Sequence, residues 1–281
     1  MDDDHQAGPD QTTIWNGGSG CAWVEAQESL DRMFEPIEEL LVGAVVDGSP
    51  RRVLDVGCGT GGTTLAVARR IGATGHCVGV DISEAMLDAA RARVERERTP
   101  ATFVCADAQS HAFEPSSFDA IMSRFGVMFF DDPVAAFTNL RRAARDGAAL
   151  RLVVWRSPEE NPFMTTAERA AAPLLPNLPP RVPDEPGQFG FANAPRVRRI
   201  LEESGWTEID IRPIDVVCTF PEKELTRYAT RFGVLGRILP EVDEPARTRV
   251  VDTVRAAFEP YVHGAEVRYG AACWMIGARA P

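Results

Sequence analysis

The 281-residue sequence predicts an α/β fold: a seven-stranded, mostly parallel sheet with helices on both faces and a helical cap built from insertions. Three observations predict it. Short apolar runs near 52–56, 76–81, 101–105, 118–123 and 148–155 alternate with helical spacing near 63–71, 84–97 and 133–145, the pattern of βαβ units. The run Arg52-Val53-Leu54-Asp55-Val56-Gly57-Cys58-Gly59-Thr60-Gly61-Gly62 carries a buried strand straight into a glycine-rich turn, where the backbone can approach a ligand too closely for any Cβ. Two further strand patterns, 207–220 and 267–278, extend the sheet.

Residues 1 to about 13 are acidic and polar and are expected to be disordered. From 25 to 46, Leu30, Met33, Phe34, Ile37, Leu40, Leu41, Ala44 and Val45 follow helical spacing. Pro36 falls inside that pattern and predicts a kink or two abutting helices. Gly48-Ser49-Pro50 ends it. Asp132-Pro133 reads as an N-cap followed by proline at the first helical position, and Gly147 as the stop. Between 156 and 190 eight prolines make an irregular stretch with one short helix near 163–172. Asn193-Ala194-Pro195 opens a helix that Gly205 closes. The stretch 221–260 is helical in pattern. Together with the proline-rich segment it would cover the carboxyl ends of the strands, where open α/β sheets bind ligands.

Composition excludes several functions. A net charge of −11 and a pI near 5 argue against a nucleic-acid substrate, since phosphate binding needs a basic surface. No apolar run approaches the length of a membrane span, and the N-terminus reads as neither signal nor transit peptide. The expected location is the cytoplasm. The six cysteines are scattered without C-x-x-C, and the four histidines lack ligand spacing. Buried reduced thiols and no metal site are expected.

The glycine loop calls for a nucleoside cofactor. Gly57, Gly59 and Gly62 satisfy G-x-G-x-x-G, and Asp81 lies about 20 residues on, so spacing alone also fits NAD or FAD. Asp55 shifts the balance. A carboxylate two residues before the first glycine repels a pyrophosphate and favours a cationic amino-acid group, as in S-adenosylmethionine (SAM).

Four segments in order resemble the class I SAM-dependent methyltransferases, in particular their ubiquinone/menaquinone-biosynthesis-like small-molecule branch. They are VLDVGCGTGG, then Val78-Gly79-Val80-Asp81-Ile82-Ser83, Phe103-Val104-Cys105-Ala106-Asp107-Ala108, and Phe118-Asp119-Ala120-Ile121-Met122-Ser123. The resemblance covers roughly 52–155. It implies a Rossmann-like SAM-binding core at 51–155, after an N-terminal helical segment at 1–50. A proline-rich cap segment would follow at 156–190 and a helical cap insertion at 221–263, with 191–220 and 264–281 ending the core sheet. It also implies Asp81 at the ribose hydroxyls and Asp107 at the adenine amino group. Asp55, Gly57, Gly59, Gly61, Ile82, Ala108 and Ser123 would complete the cofactor site.

Trp15 and Trp23, in a glycine-rich approach to the first long helix, read either as a ligand surface or as a staple on that helix. Arg124 either reads an acidic substrate group or pairs with a carboxylate such as Asp131. Phe125 and Met128 are candidates for the substrate wall. His111 and His263 are the candidates for a general base, each weighed against a plain surface histidine. The expected activity is methyl transfer to an O, N or C atom of a small, largely apolar metabolite, by a monomer or homodimer. The alternatives are an NAD-dependent oxidoreductase and a SAM-binding regulator without catalysis.

Overall fold

The computed structural model describes residues 11–281. The expected N-terminal disorder falls mostly on 1–10, outside the described residues. Residues 11–13 differ from it, lying in helix α1 (Gln11–Asn16). Two more helices follow, α2 (Gly18–Glu25) and α3 (Gln27–Val46). The glycine-rich approach to the long helix is therefore itself helical. Helix α3 runs through Pro36 as one element, because Leu30, Met33, Phe34, Ile37 and Leu41 bury a continuous stripe on both sides of it. That burial outweighs the one backbone hydrogen bond the proline removes.

The core alternates as expected: β1 (Arg52–Val56), α4 (Gly62–Ile71), β2 (His76–Asp81), α5 (Glu84–Glu97), β3 (Ala101–Cys105), β4 (Phe118–Arg124), α6 (Pro133–Ala143) and β5 (Ala144–Trp155). Strand β5 starts earlier than Gly147 suggested, since Ala144 already pairs with Phe118. The rest comprises α7 (Pro162–Ala171), α8 (Ala194–Glu203), β6 (Thr207–Pro221), α9 (Leu225–Arg231), α10 (Gly233–Ile238), α11 (Glu244–Ala257), β7 (Val262–His263) and β8 (Glu266–Arg279).

The sheet has eight strands in the order β3-β2-β1-β4-β5-β8-β6, with β7 paired to β8 beside that path. The eighth is the two-residue β7, too short to show a period in the sequence. Strands β3 to β5 pair in parallel, and β8 runs antiparallel to both β5 and β6. From β1 the chain steps outward to β2 and β3, then returns to β4 and steps the other way to β5. Right-handed crossovers therefore place α4 and α5 on one face and α6 on the other. The reversal between β1 and β4 opens a crevice at their carboxyl ends, the switch point where such sheets bind ligands.

Burial fixes this frame. Val53, Leu54, Ile121, Leu150, Leu152, Val153 and Ile276 are fully buried in the middle of the sheet. Asp132, Asn193 and Asp243 cap α6, α8 and α11 by accepting backbone N–H groups from Ala135, Arg196 and Ala246. All six cysteines are unpaired, and Cys21 and Cys105 are exposed rather than buried. Among the described residues no helix is long and apolar enough to cross a membrane.

Candidate active site

Strand β1 ends in a turn held by one carbonyl. The N–H groups of Gly57 and Cys58 both donate to the Val80 oxygen, at 2.8 and 3.1 Å, drawing the loop over the end of β2. Gly57 has φ +68°, and a Cβ there would come within 2.6 Å of the Gly126 Cα. The turn after β4 can pass the glycine loop only because neither position carries a side chain. At Gly59, with φ +54°, a Cβ would meet nothing nearer than the Met86 sulfur at 3.8 Å, so this backbone faces open space.

Asp81 ends β2 and organises that space. Its Oδ2 accepts the Gly59 N–H at 2.8 Å and its Oδ1 accepts the Ser83 N–H at 2.9 Å. Burial raises its carboxyl above the usual range, and the two backbone donors oppose the rise. Ser83 does not cap α5 with its side chain. Its hydroxyl donates to the Trp15 carbonyl at 2.7 Å, and the Asn16 Oδ1 accepts the Glu84 N–H instead. Asn16 also donates to the Ile82 carbonyl. Helix α1 is thereby fastened across the loop that carries Asp81.

Asp55, in β1, is 1 % exposed and accepts a 2.6 Å hydrogen bond from the Thr64 hydroxyl. Burial pushes its carboxyl up to about 7, against the lowering effect of Thr64 and of the Arg124 charge. Asp107 is exposed and folds its carboxylate onto its own turn, accepting from the Gln109 N–H and the Ser110 hydroxyl.

These groups open onto one cavity of about 1230 Å³, beyond the roughly 300–1,000 Å³ of a single-ligand pocket. It has two chemically distinct halves. The first is lined by Asp55, Gly57, Gly59, Asp81, Ile82, Asp107 and Ala108, and is polar where the strand ends supply carboxylates and N–H groups. The second is aromatic. Phe125, held at φ +64°, lies flat on Trp155 with ring centroids 4.5 Å apart. Phe163 of α7 packs against Tyr228 of α9 and Phe258 at 5.6 and 5.1 Å. Trp15 meets Phe129 edge-on at 5.3 Å, and Trp23 meets Phe232 at 5.9 Å. A proline-rich strap closes one side, its Gly187 N–H donating to the Met128 carbonyl.

The predicted substrate residues Trp15, Trp23, Arg124, Phe125 and Met128 all line the cavity. Four other predicted residues do not. A Cβ at Gly61 would come within 2.9 Å of the Phe103 ring, so that glycine serves helix packing. Ser123 is fully buried, donating to the Val56 carbonyl and accepting the Gly126 N–H, which ties β4 to the glycine loop. His111 packs on Phe113, and His263 is exposed beside β8. Among the described residues no histidine lines the cavity. Arg124 forms no ion pair with Asp131; its guanidinium lies over the Phe34 ring at 5.6 Å. Sequence reasoning missed Phe34, Trp155, Phe163, Tyr228, Phe232 and Phe258 as lining residues. Helical spacing placed Phe34 on a buried stripe, but no local signal announced that these rings converge.

The polar half suits a ligand with a cationic group and a diol better than one with a pyrophosphate, because carboxylates stand where a phosphate would need donors alone. Comparison with known proteins agrees. A family profile described as "Methyltransferase domain" matches residues 53–147. The demethylmenaquinone methyltransferase of Staphylococcus saprophyticus is 25 % identical over 172 residues, 58 % of this chain and 73 % of its own length. The aklanonic acid methyltransferase DauC of Streptomyces sp. strain C5 is 32 % identical over 120 residues, covering 41 % of this chain and 54 % of that protein. The structure of Haemonchus contortus phosphoethanolamine N-methyltransferase 2 in complex with SAM superposes with a TM-score of 0.60 at 17 % identity. That superposition covers 98 % of this chain and 61 % of the other and shows a shared fold. The site and fold define a Rossmann-like SAM-binding enzyme. Over residues 53–147 the chain matches a methyltransferase domain and is similar to named methyltransferases, and SAM is its cofactor.

Proposed function

We propose that the enzyme methylates a small, planar, largely apolar acceptor held in the aromatic half of the cavity. The observation that carries this reading is the stacked and edge-on ring enclosure of Phe125, Trp155, Phe163 and Tyr228, continuous with the glycine loop. Offset and edge-to-face packing of rings favours planar partners. Among the described residues no side chain plugs the cavity, which supports catalysis over a purely regulatory binding role. Two relatives are named for methylating demethylmenaquinone and aklanonic acid, and their names fit an acceptor of this kind.

When bound, SAM supplies a methyl group already activated on a sulfonium. The chain's own work is then to bind, orient and exclude water. Asp81 would take the ribose hydroxyls on the carboxylate that Gly59 and Ser83 hold in place. Ile82 and Ala108 would flank the adenine, with Asp107 at its edge. Asp55 would face the amino-acid ammonium, which favours its ionised form. Phe125 and Trp155 would fix the plane of the acceptor. No histidine base is required if the acceptor atom has a free lone pair or ionises by itself.

The test is transfer of a radiolabelled methyl group from SAM to a panel of naphthols, hydroxynaphthoquinones, aromatic acids and aliphatic amines of similar mass. Label in the planar aromatic members supports the reading. Label confined to the aliphatic amines contradicts it.

A further inference from the structure

Arg124 stands at the seam between the two halves, one residue past the Ser123 clamp and one before the strained Phe125. Its Nη1 is buried and finds no hydrogen-bond partner among the described residues. Among the described residues it forms no ion pair, although Glu38 and Asp55 are near enough to feel its charge. Both carboxyls are raised by burial, Asp55 to about 7, so Asp55 is not a fully ionised counter-charge at neutral pH. The Phe34 ring under the guanidinium holds its plane without consuming a donor.

A buried guanidinium donor without an acceptor is costly, and such groups are seldom left unpaired without cause. Its side chain lines the cavity. Phe34, over which the guanidinium lies, packs edge-on against Phe125 and Trp155, and this ring cluster lowers the local dielectric and strengthens any ion pair made there. We infer that Arg124 is a receptor for an anionic oxygen of a bound small molecule. The inference rests on the proposed division of the cavity between cofactor and planar acceptor. A carboxylate is the chemistry that fits, and two bound molecules can bring one: the amino-acid end of the cofactor, or an acidic group on the acceptor. In either role Arg124 adds specificity for charge to a cavity otherwise selective for shape.

The experiment measures preferences for charge. Calorimetric titrations compare SAM with its decarboxylated analogue, and 2-naphthoate with 2-naphthamide in the presence of S-adenosylhomocysteine. Each pair is run on wild-type protein and on Arg124→Met and Arg124→Lys, with melting curves to confirm folding. Wild type should prefer the carboxylate member of one pair by about tenfold or more. Arg124→Met should abolish that preference while binding of the member without the carboxylate changes by less than about threefold. Arg124→Lys should retain part of it, because the charge remains and the planar fork does not. Preference within the first pair identifies the cofactor as the source, and within the second the acceptor.

If wild type binds the probes with no preference for charge in either pair, or if Arg124→Met keeps the preference, the inference is overturned. The wild-type arm decides the matter even if both variants fail to fold. If wild type binds S-adenosylhomocysteine but neither naphthalene, the reading of the aromatic half fails, and the cofactor pair still judges Arg124.

Discussion

The two halves of the cavity are built in opposite ways. The polar half, proposed for the cofactor, is made largely of backbone: strand ends, a glycine turn and N–H groups that meet one carboxylate. The aromatic half, proposed for the acceptor, is made of side chains from α3, β5, α7, α9 and the turn after β4, drawn together only by the tertiary fold. The contrast teaches why a fold can keep its cofactor while changing its substrate. Backbone geometry tolerates few substitutions, whereas aromatic walls can be exchanged ring by ring.

The largest effect should come from breaking the aromatic half. Phe163 is 1 % exposed and packs on Phe220, Tyr228, Phe258, Tyr261 and Tyr269. Phe163→Ala should lower unfolding free energy by about 3–5 kcal/mol in urea titrations. SAM affinity, measured below the transition, should stay within about threefold. A parallel loss of SAM binding would mean that the halves are not separable.

A second test concerns charge in the cofactor half. The Asp55 carboxyl loses its proton near 7 in the folded protein but near 3.9 when unfolded. Between those values the folded state binds more protons, so this stability is complete at low pH and is lost as pH rises toward 7. Asp55→Asn, which keeps an acceptor for Thr64, should flatten that fall. The difference between variant and wild type, followed by urea midpoints from pH 4 to 8, should grow by on the order of 3 kcal/mol. Equal slopes would show that Asp55 titrates normally.

A smaller effect is expected at Asp81. Asp81→Ala removes the acceptor shared by Gly59 and Ser83 and should weaken SAM binding by at least about tenfold, near 1.4 kcal/mol. Naphthalene binding should be unaffected. Unchanged SAM affinity would remove Asp81 from the cofactor site.

The contrast also explains what the sequence made legible. Strands β1 to β4 and helix α5 lie within a residue of their predicted bounds, because period and punctuation are local signals. Asp81 and the glycine turn were legible for the same reason. Gly61 and Ser123 misled because a motif position does not say which way it faces: one packs on Phe103, the other turns inward to the Val56 carbonyl. Pro36 misled because its cost is local while the stripe that overrides it is tertiary. The aromatic half was nearly invisible, since Phe34, Trp155, Phe163, Tyr228 and Phe258 are far apart in the chain and none sits in a motif. The unpaired Nη1 of Arg124 is likewise a fact of packing, although its place after β4 pointed to it.

The most direct test of the divided cavity is a crystal structure with S-adenosylhomocysteine bound. The account predicts the ribose on Asp81, the adenine beside Ile82 and Ala108, and the space bounded by Trp155, Phe163 and Tyr228 left free for an acceptor. S-adenosylhomocysteine lying among those rings, or turned away from Asp81, would contradict it.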